Sequence, residues 1–204
     1  MVLKALGLQE QHDLTSLALA CGTKSIWTID LAHLLARCGA AVSLLTVTVG
    51  ANPSYAAEQF YAESMAQDEA RVAKLFQGAA VAGIHVQERS MPLTELQQLL
   101  QAGQHLVIAL VDKRKLSRPA VLQSGPILLP LGPVPPPSPP RSTYIGHFVL
   151  LSGYDARRGC FRVLDPASGQ QEVHVPAYRV EDARKSFGTD EDLLIVSVPA
   201  CLQL

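Results

Sequence analysis

Charge of either sign is scarce in this chain: Asp, Glu, Lys and Arg make up 17% of its 204 residues and leave a formal net charge of -1. With no basic face to steer a polyanion, nucleic-acid binding is not expected. Long apolar runs are missing as well. No stretch of 18 apolar residues could span a bilayer, and no basic leader runs into an apolar segment with a cleavage site. A cytoplasmic chain with no membrane partner is expected. Cysteines are few and irregularly spaced: Cys21, Cys38, Cys160 and Cys201 form no CxxC pair, which argues against both a disulfide framework and a zinc site. His12, His33, His85, His105 and His174 show no ligand spacing, so no metal site is expected from them. A phosphate-cradling loop is lacking too, because Gly50-Ala51-Asn52-Pro53-Ser54 contains a proline and no following lysine.

What the chain does have is apolar content: 48% of its residues are hydrophobic, enough for one real core but short of two domains. A single domain over 1–204 is expected. Met1 to Leu6 reads as a helix closed by Gly7, and Leu14 to Ala20 as a short helix capped by Asp13 or Thr15. Thr28 is the expected N-cap of a helix over Ile29 to Cys38, stopped by Gly39. Val42 to Val49 alternates as a strand, a helix broken near Met65 to Asp68 spans about Ala56 to Ala82, and Ile84 to Arg89 is a further strand. Leu93 to Ala102 is helical. His105 to Val111 is a continuous apolar strand that needs cover on both faces. Between Ser124 and Pro140 the pattern breaks, with eight prolines from Pro126 to Pro140. Such a run lacks backbone donors and cannot join a sheet, so 124–140 is expected as a solvated loop, either a spacer or a docking segment for a protein partner. A strand near Glu172 to Val175, a helix over Val180 to Ser186 and a terminal strand over Leu193 to Val198 follow.

The richest stretch is Gly146-His147-Phe148-Val149-Leu150-Leu151-Ser152-Gly153-Tyr154-Asp155, followed after a basic turn by Cys160-Phe161-Arg162-Val163-Leu164-Asp165-Pro166-Ala167. Two apolar strands joined at Ala156 to Gly159 make a hairpin whose alternation carries His147 and Asp165 to one edge. A His oriented by a carboxylate is half of a nucleophilic triad, since the carboxylate fixes the imidazole tautomer and stabilises the imidazolium. No convincing Cys or Ser completes it. Cys21, ahead of Gly22 and upstream of a helix, is the only rescue candidate.

The Gly-His-(apolar)4-Gly-Tyr-Asp and Asp-Pro-Ala pattern resembles the His and Asp motifs of papain-like cysteine peptidases of the bacteriocin-processing type. Almost the whole chain is similar to the guanylyl cyclase family of plants and to animal guanylyl-cyclase-domain-containing proteins. The segments that carry the likeness are Ser25 to Ala32, Gly50 to Tyr55, Ile108 to Asp112, Gly146 to Val149 and Ala183 to Leu194. The resemblance implies an α+β, papain-like cysteine-peptidase-type fold, with N-terminal helices packed on an antiparallel sheet. It also implies that Met1-Val2-Leu3-Lys4-Ala5-Leu6-Gly7 lies inside the family's nucleophile helix, so that the chain is N-terminally truncated relative to the family and the nucleophile-position Cys falls upstream of Met1.

Three functions stay open. The family name implies formation of cyclic GMP from GTP, with Mg²⁺ or Mn²⁺ as the implied ion; the local candidates for that chemistry are Asp190, Glu191 and Asp192 with Arg184 and Lys185, against a reading of them as a solvated acidic turn. A papain-like hydrolase homologue would use His147 and Asp165 on a peptide or isopeptide substrate and would be inactive here, a pseudoenzyme, without its Cys. A non-catalytic binding module is the third. Trp27 reads as a core anchor rather than a base-stacking platform.

Overall fold

The computed structural model describes residues 1–9, 12–55, 65–116, 144–169 and 171–199. The expected proline-rich loop at 124–140 and the first part of the helix expected from Ala56 lie outside these residues. Seven strands form one sheet in the order β2-β1-β7-β3-β4-β5-β6. They are β1 (Val42–Thr46), β2 (His85–Glu88), β3 (His105–Asp112), β4 (Gly146–Asp155), β5 (Cys160–Leu164), β6 (Glu172–Pro176) and β7 (Leu193–Ser197). Every neighbouring pair is antiparallel except β1 and β2, which run parallel. Helices are interleaved with the strands: α1 (Val2–Ala5), α2 (Leu14–Cys21), α3 (Thr28–Arg37), α4 (Met65–Gly78), α5 (Leu93–Gln101), α6 (Lys113–Leu116) and α7 (Ala177–Arg184). The architecture is mixed α+β. No helix among the described residues is long and apolar enough to cross a membrane.

Period-2 alternation divides the sheet into two buried faces. On one, Leu44, Leu106, Leu150, Leu194 and Val196 pack with Val2 of α1, with Leu6 at its C-cap and with Ile29, Ala32 and Leu35 of α3. On the other, Val107, Ala109, Val111, Val149, Leu151 and Val163 pack against Leu96 and Leu100 of α5 and Val180 and Ala183 of α7. The expected N-terminal helices thus cover one face of the sheet, and α5 and α7 close the second. Leu96 and Leu100 are 0% and 1% exposed, and burying each contributes about 1.5 to 3 kcal/mol. That double cover explains why β3 reads as an unbroken apolar run.

The start of α3 corrects the expected cap. Trp27 occupies the N-cap, and its backbone amide donates to the Asp30 carboxylate at 2.9 Å. Thr28 instead donates its hydroxyl to Asp192 at the head of β7. Asp13, by contrast, caps α2 as expected, accepting from the Ser16 amide at 2.8 Å. Arg71 of α4 bonds both Asp30 and Asp68, and the Trp27 indole N–H donates to Asp68 at 3.0 Å. Trp27, 8% exposed, is thus a core anchor that ties α3 to α4.

Between α7 and β7 the chain turns at Gly188, whose φ of +102° is in the region that L side chains rarely adopt. A Cβ there would also lie 2.8 Å from the Tyr144 ring. Gly188→Ala is expected to destabilise the protein by on the order of 1 to 3 kcal/mol in denaturant unfolding. Gly153→Ala, where the obstacle is the flexible Arg162 guanidinium, should cost less. Equal losses at both positions would contradict this reading.

Candidate active site

His147 is the second residue of β4, and Asp165 directly follows β5, so the hairpin brings both to the end opposite its turn. The His147 Nε2 lies 2.7 Å from Asp165 Oδ1. The same oxygen accepts from the Ala167 amide at 2.7 Å, which caps the single 3-10 turn Pro166–Ser168. Burial pushes the Asp165 carboxyl up, but the Ala167 amide, the His147 bond and the charges of His147 and Lys113 outweigh it and hold the group below the ordinary carboxylate range. An ionised carboxylate only accepts, so the shared proton is assigned to Nε2, and in the neutral ring the lone pair falls on Nδ1. Both side chains keep some contact with solvent, at 16% and 19% exposure.

Register decides which way the pair faces. Val111 pairs with His147 and Leu110 with Phe148, so His147 shares the face of Val111 and Val149, while Phe148 turns toward α3. Leu110 and Phe148 line a void of about 10 Å³ with Trp27 and Thr28, room for one water at most. An apolar cavity of about 190 Å³ lies beside them, bordered by Val2, Leu31, Ile108 and Pro166. Neither His147 nor Asp165 lines it. A further cavity of about 340 Å³, between α1, α2 and α3, is remote from the pair.

No described cysteine joins His147. Cys160 pairs across the hairpin with Asp155, eight residues along β4 from His147, on the order of 25 Å away. Cys21 sits among Asp30, Arg37 and Arg71, and burial together with the Asp30 charge pushes its thiol up. That is the reverse of an activated nucleophile.

The acidic segment before β7 departs from the solvated turn that its charge suggests. Asp190 is 7% exposed and accepts from Tyr55 Oη at 2.8 Å and Asn52 Nδ2 at 3.0 Å. Burial and the Asp190 charge push the Tyr55 phenol up to about 12. Asp190 and Glu191 both take positive φ, 48° and 53°, a strained pair held in place by these bonds. Asp192 is half-buried as a residue, but its carboxyl sits against Thr28 and Thr46, which are 2% and 1% exposed. Burial first, opposed by the hydroxyl bonds and aided by the Asp190 charge, raises it to about 7. Arg184 is fully buried, donating to Glu181 at 2.6 Å and to the Met91 carbonyl at 2.7 Å, and Lys185 pairs with Glu181 and Glu191. Glu191 pairs with Arg184 and Lys185, whereas Asp190 and Asp192 are held by Asn52, Tyr55, Thr28 and Thr46, and the five are not gathered at His147. Among the described residues, no group of three or more His, Cys, Asp or Glu could hold a metal ion.

Asn52 and Tyr55 lie in a segment that carries the family likeness but suggested no role for either, and Lys113 was not singled out. The run Lys113-Arg114-Lys115 directly after a buried strand was the available signal for the last.

A pH dependence follows from Asp192. Its carboxyl titrates near 3.8 when unfolded and about 7 when folded, so the native state binds more protons between those values. The stability it contributes is full below about pH 4 and is lost as pH rises through about 7. Asp192→Asn, which can still accept from Thr28, removes that slope. The melting temperature of the variant minus that of the parent should therefore increase from pH 5 to pH 8, and a difference constant with pH would refute the assignment.

Two comparisons bear on this geometry. A family model described as guanylylate cyclase matches residues 1–196. Guanylyl cyclase 1 of Arabidopsis thaliana is 43% identical over 201 residues, which cover 97% of this chain and 69% of that relative. With a match over nearly its whole length, spanning the hairpin of His147 and Asp165, the chain belongs to the guanylyl cyclase family.

Proposed function

We propose that this protein forms cyclic GMP and pyrophosphate from GTP, with His147 as the general base and Asp165 as the residue that orients it. The observation that carries the reading is the 2.7 Å bond from His147 Nε2 to Asp165, which leaves Nδ1 as the proton acceptor within the family's matched span. In the reaction the ribose 3'-oxygen forms a bond to the α-phosphorus, and the bond from that phosphorus to the bridging oxygen of the β-phosphate breaks. Pyrophosphate leaves, and the 3'-hydroxyl proton passes to Nδ1 of His147. Asp165, ionised throughout, stabilises the imidazolium that results. A base held this way contributes about 10² to 10⁴ in rate. Mg²⁺ or Mn²⁺ would offset charge on the leaving group; Asp190 and Asp192 do not fit as its ligands, since Asn52, Tyr55 and Thr28 already occupy them. The protein would work in the cytoplasm.

A second reading is favoured by the same pair: a papain-like thiol hydrolase site acting on a peptide or isopeptide bond, its layering that of helices on a largely antiparallel sheet. In the residues described here that site lacks a thiolate beside His147.

Purified protein supplied with GTP and Mg²⁺ or Mn²⁺ should form cyclic GMP. His147→Ala should lower kcat by about 10² to 10⁴ with KM nearly unchanged, and Asp165→Asn should act in the same direction. Cyclic GMP formation that survives His147→Ala at full rate would reject the base assignment. Preferential labelling of one cysteine by a thiol-reactive probe, lost in His147→Ala and without any GTP turnover, would favour the hydrolase.

A further inference from the structure

α6 carries three consecutive cations at the end of the sheet where His147 lies, and two of them are committed. Arg114 bonds Asp112 at 3.0 Å, and Lys115 bonds Asp182 at 2.8 Å. Lys113 differs. Its backbone amide donates to the Ile145 carbonyl at 3.0 Å, two residues before His147, and the pairing of Asp112 with Gly146 continues that register. Among the described residues its ammonium makes no hydrogen bond or ion pair, although its charge acts on Asp165.

Asp165 lies within reach of that charge but forms no ion pair with it; its Oδ1 serves the His147 ring and the Ala167 amide. Lys113 is half-buried and lies two positions on from Val111, the register partner of His147, so its three unused donors suit an anionic group of a substrate held at that end of the sheet. We infer that Lys113 is the anion-positioning residue of the His147–Asp165 site and holds a phosphate of a nucleoside triphosphate against the imidazole. This rests on the GTP reading for the identity of the ligand, while the placement of Lys113 does not. The charge also serves the chemistry: a cation near the phosphates opposes the negative charge that builds on the leaving pyrophosphate.

The test measures binding separately from turnover. Using the full chain, dissociation constants for GTP, inorganic pyrophosphate and uncharged guanosine are determined by calorimetry for the parent, Lys113→Gln, Lys113→Arg and Lys115→Gln, with cyclic GMP formation followed in parallel. Lys113→Gln should weaken GTP and pyrophosphate by roughly tenfold or more, leave guanosine unaffected and be rescued in part by Lys113→Arg. Lys115→Gln, whose charge is spent on Asp182, should change neither. Pyrophosphate binding that depends on Lys113 without any cyclic GMP would keep the anion site and reject the cyclase reading. No binding of GTP or pyrophosphate by the parent, unchanged binding in Lys113→Gln, or an equal loss in Lys115→Gln would overturn the inference.

Discussion

Antiparallel register is the constraint on which the rest of this structure depends. Val111 opposite His147 and Leu150 opposite Leu164 fix which side chains share a face, and a slip of one residue would send His147 to the α3 side. Both faces of β3 and β4 are buried, one under α1 and α3 and the other under α5 and α7. The same register that builds the core brings the His147 ring to Asp165. Apolar packing therefore sets the geometry of a polar pair in which it takes no direct part.

A second polar structure supports the opposite face. Asp190 and Asp192 lie where β7 enters the sheet between β1 and β3, and they collect donors from two separate parts of the chain: Thr28 at the start of α3, and Asn52 and Tyr55 after β1. The left-handed backbone at Asp190 and the burial of both carboxyls are costly in isolation. It is offset because each carboxyl satisfies hydroxyl or amide donors that burial would otherwise leave unpaired. Electrostatically, the two acidic sites are opposites. Asp165 is held ionised by an amide and an imidazole, which suits a group that orients a base, whereas Asp192 is raised toward neutrality by burial, which suits a structural hydroxyl partner.

Much of this was legible from residue order. Alternation around Gly146 to Asp155 and Cys160 to Leu164, with a turn between, was sufficient to bring His147 and Asp165 to one edge, and Gly22 and Asp13 bounded α2 as their chemistry requires. Less was legible at the head of α3. Thr28 is a good cap by type, yet a hydroxyl from the first turn gains more from a carboxylate 164 positions away than from a local amide, and no local rule includes that partner. Arg184, Asp190 and Asp192 likewise read as surface charge, because charge runs are usually solvated. Only the packing of α7 on the sheet encloses Arg184, and only Thr28, Asn52 and Tyr55, brought in from distant segments, cover the other two.

The sequence by itself determined the two-faced apolar strands, the hairpin, and the presence of a His and an Asp at its open end, because these follow from alternation and turn chemistry over short distances. Tertiary structure decided which carboxylates are buried, which cations are already paired and which thiols lie away from His147. Those outcomes depend on contacts between residues far apart in the chain, and the same Asp or Lys is a solvated charge or a site component according to what the sheet brings beside it.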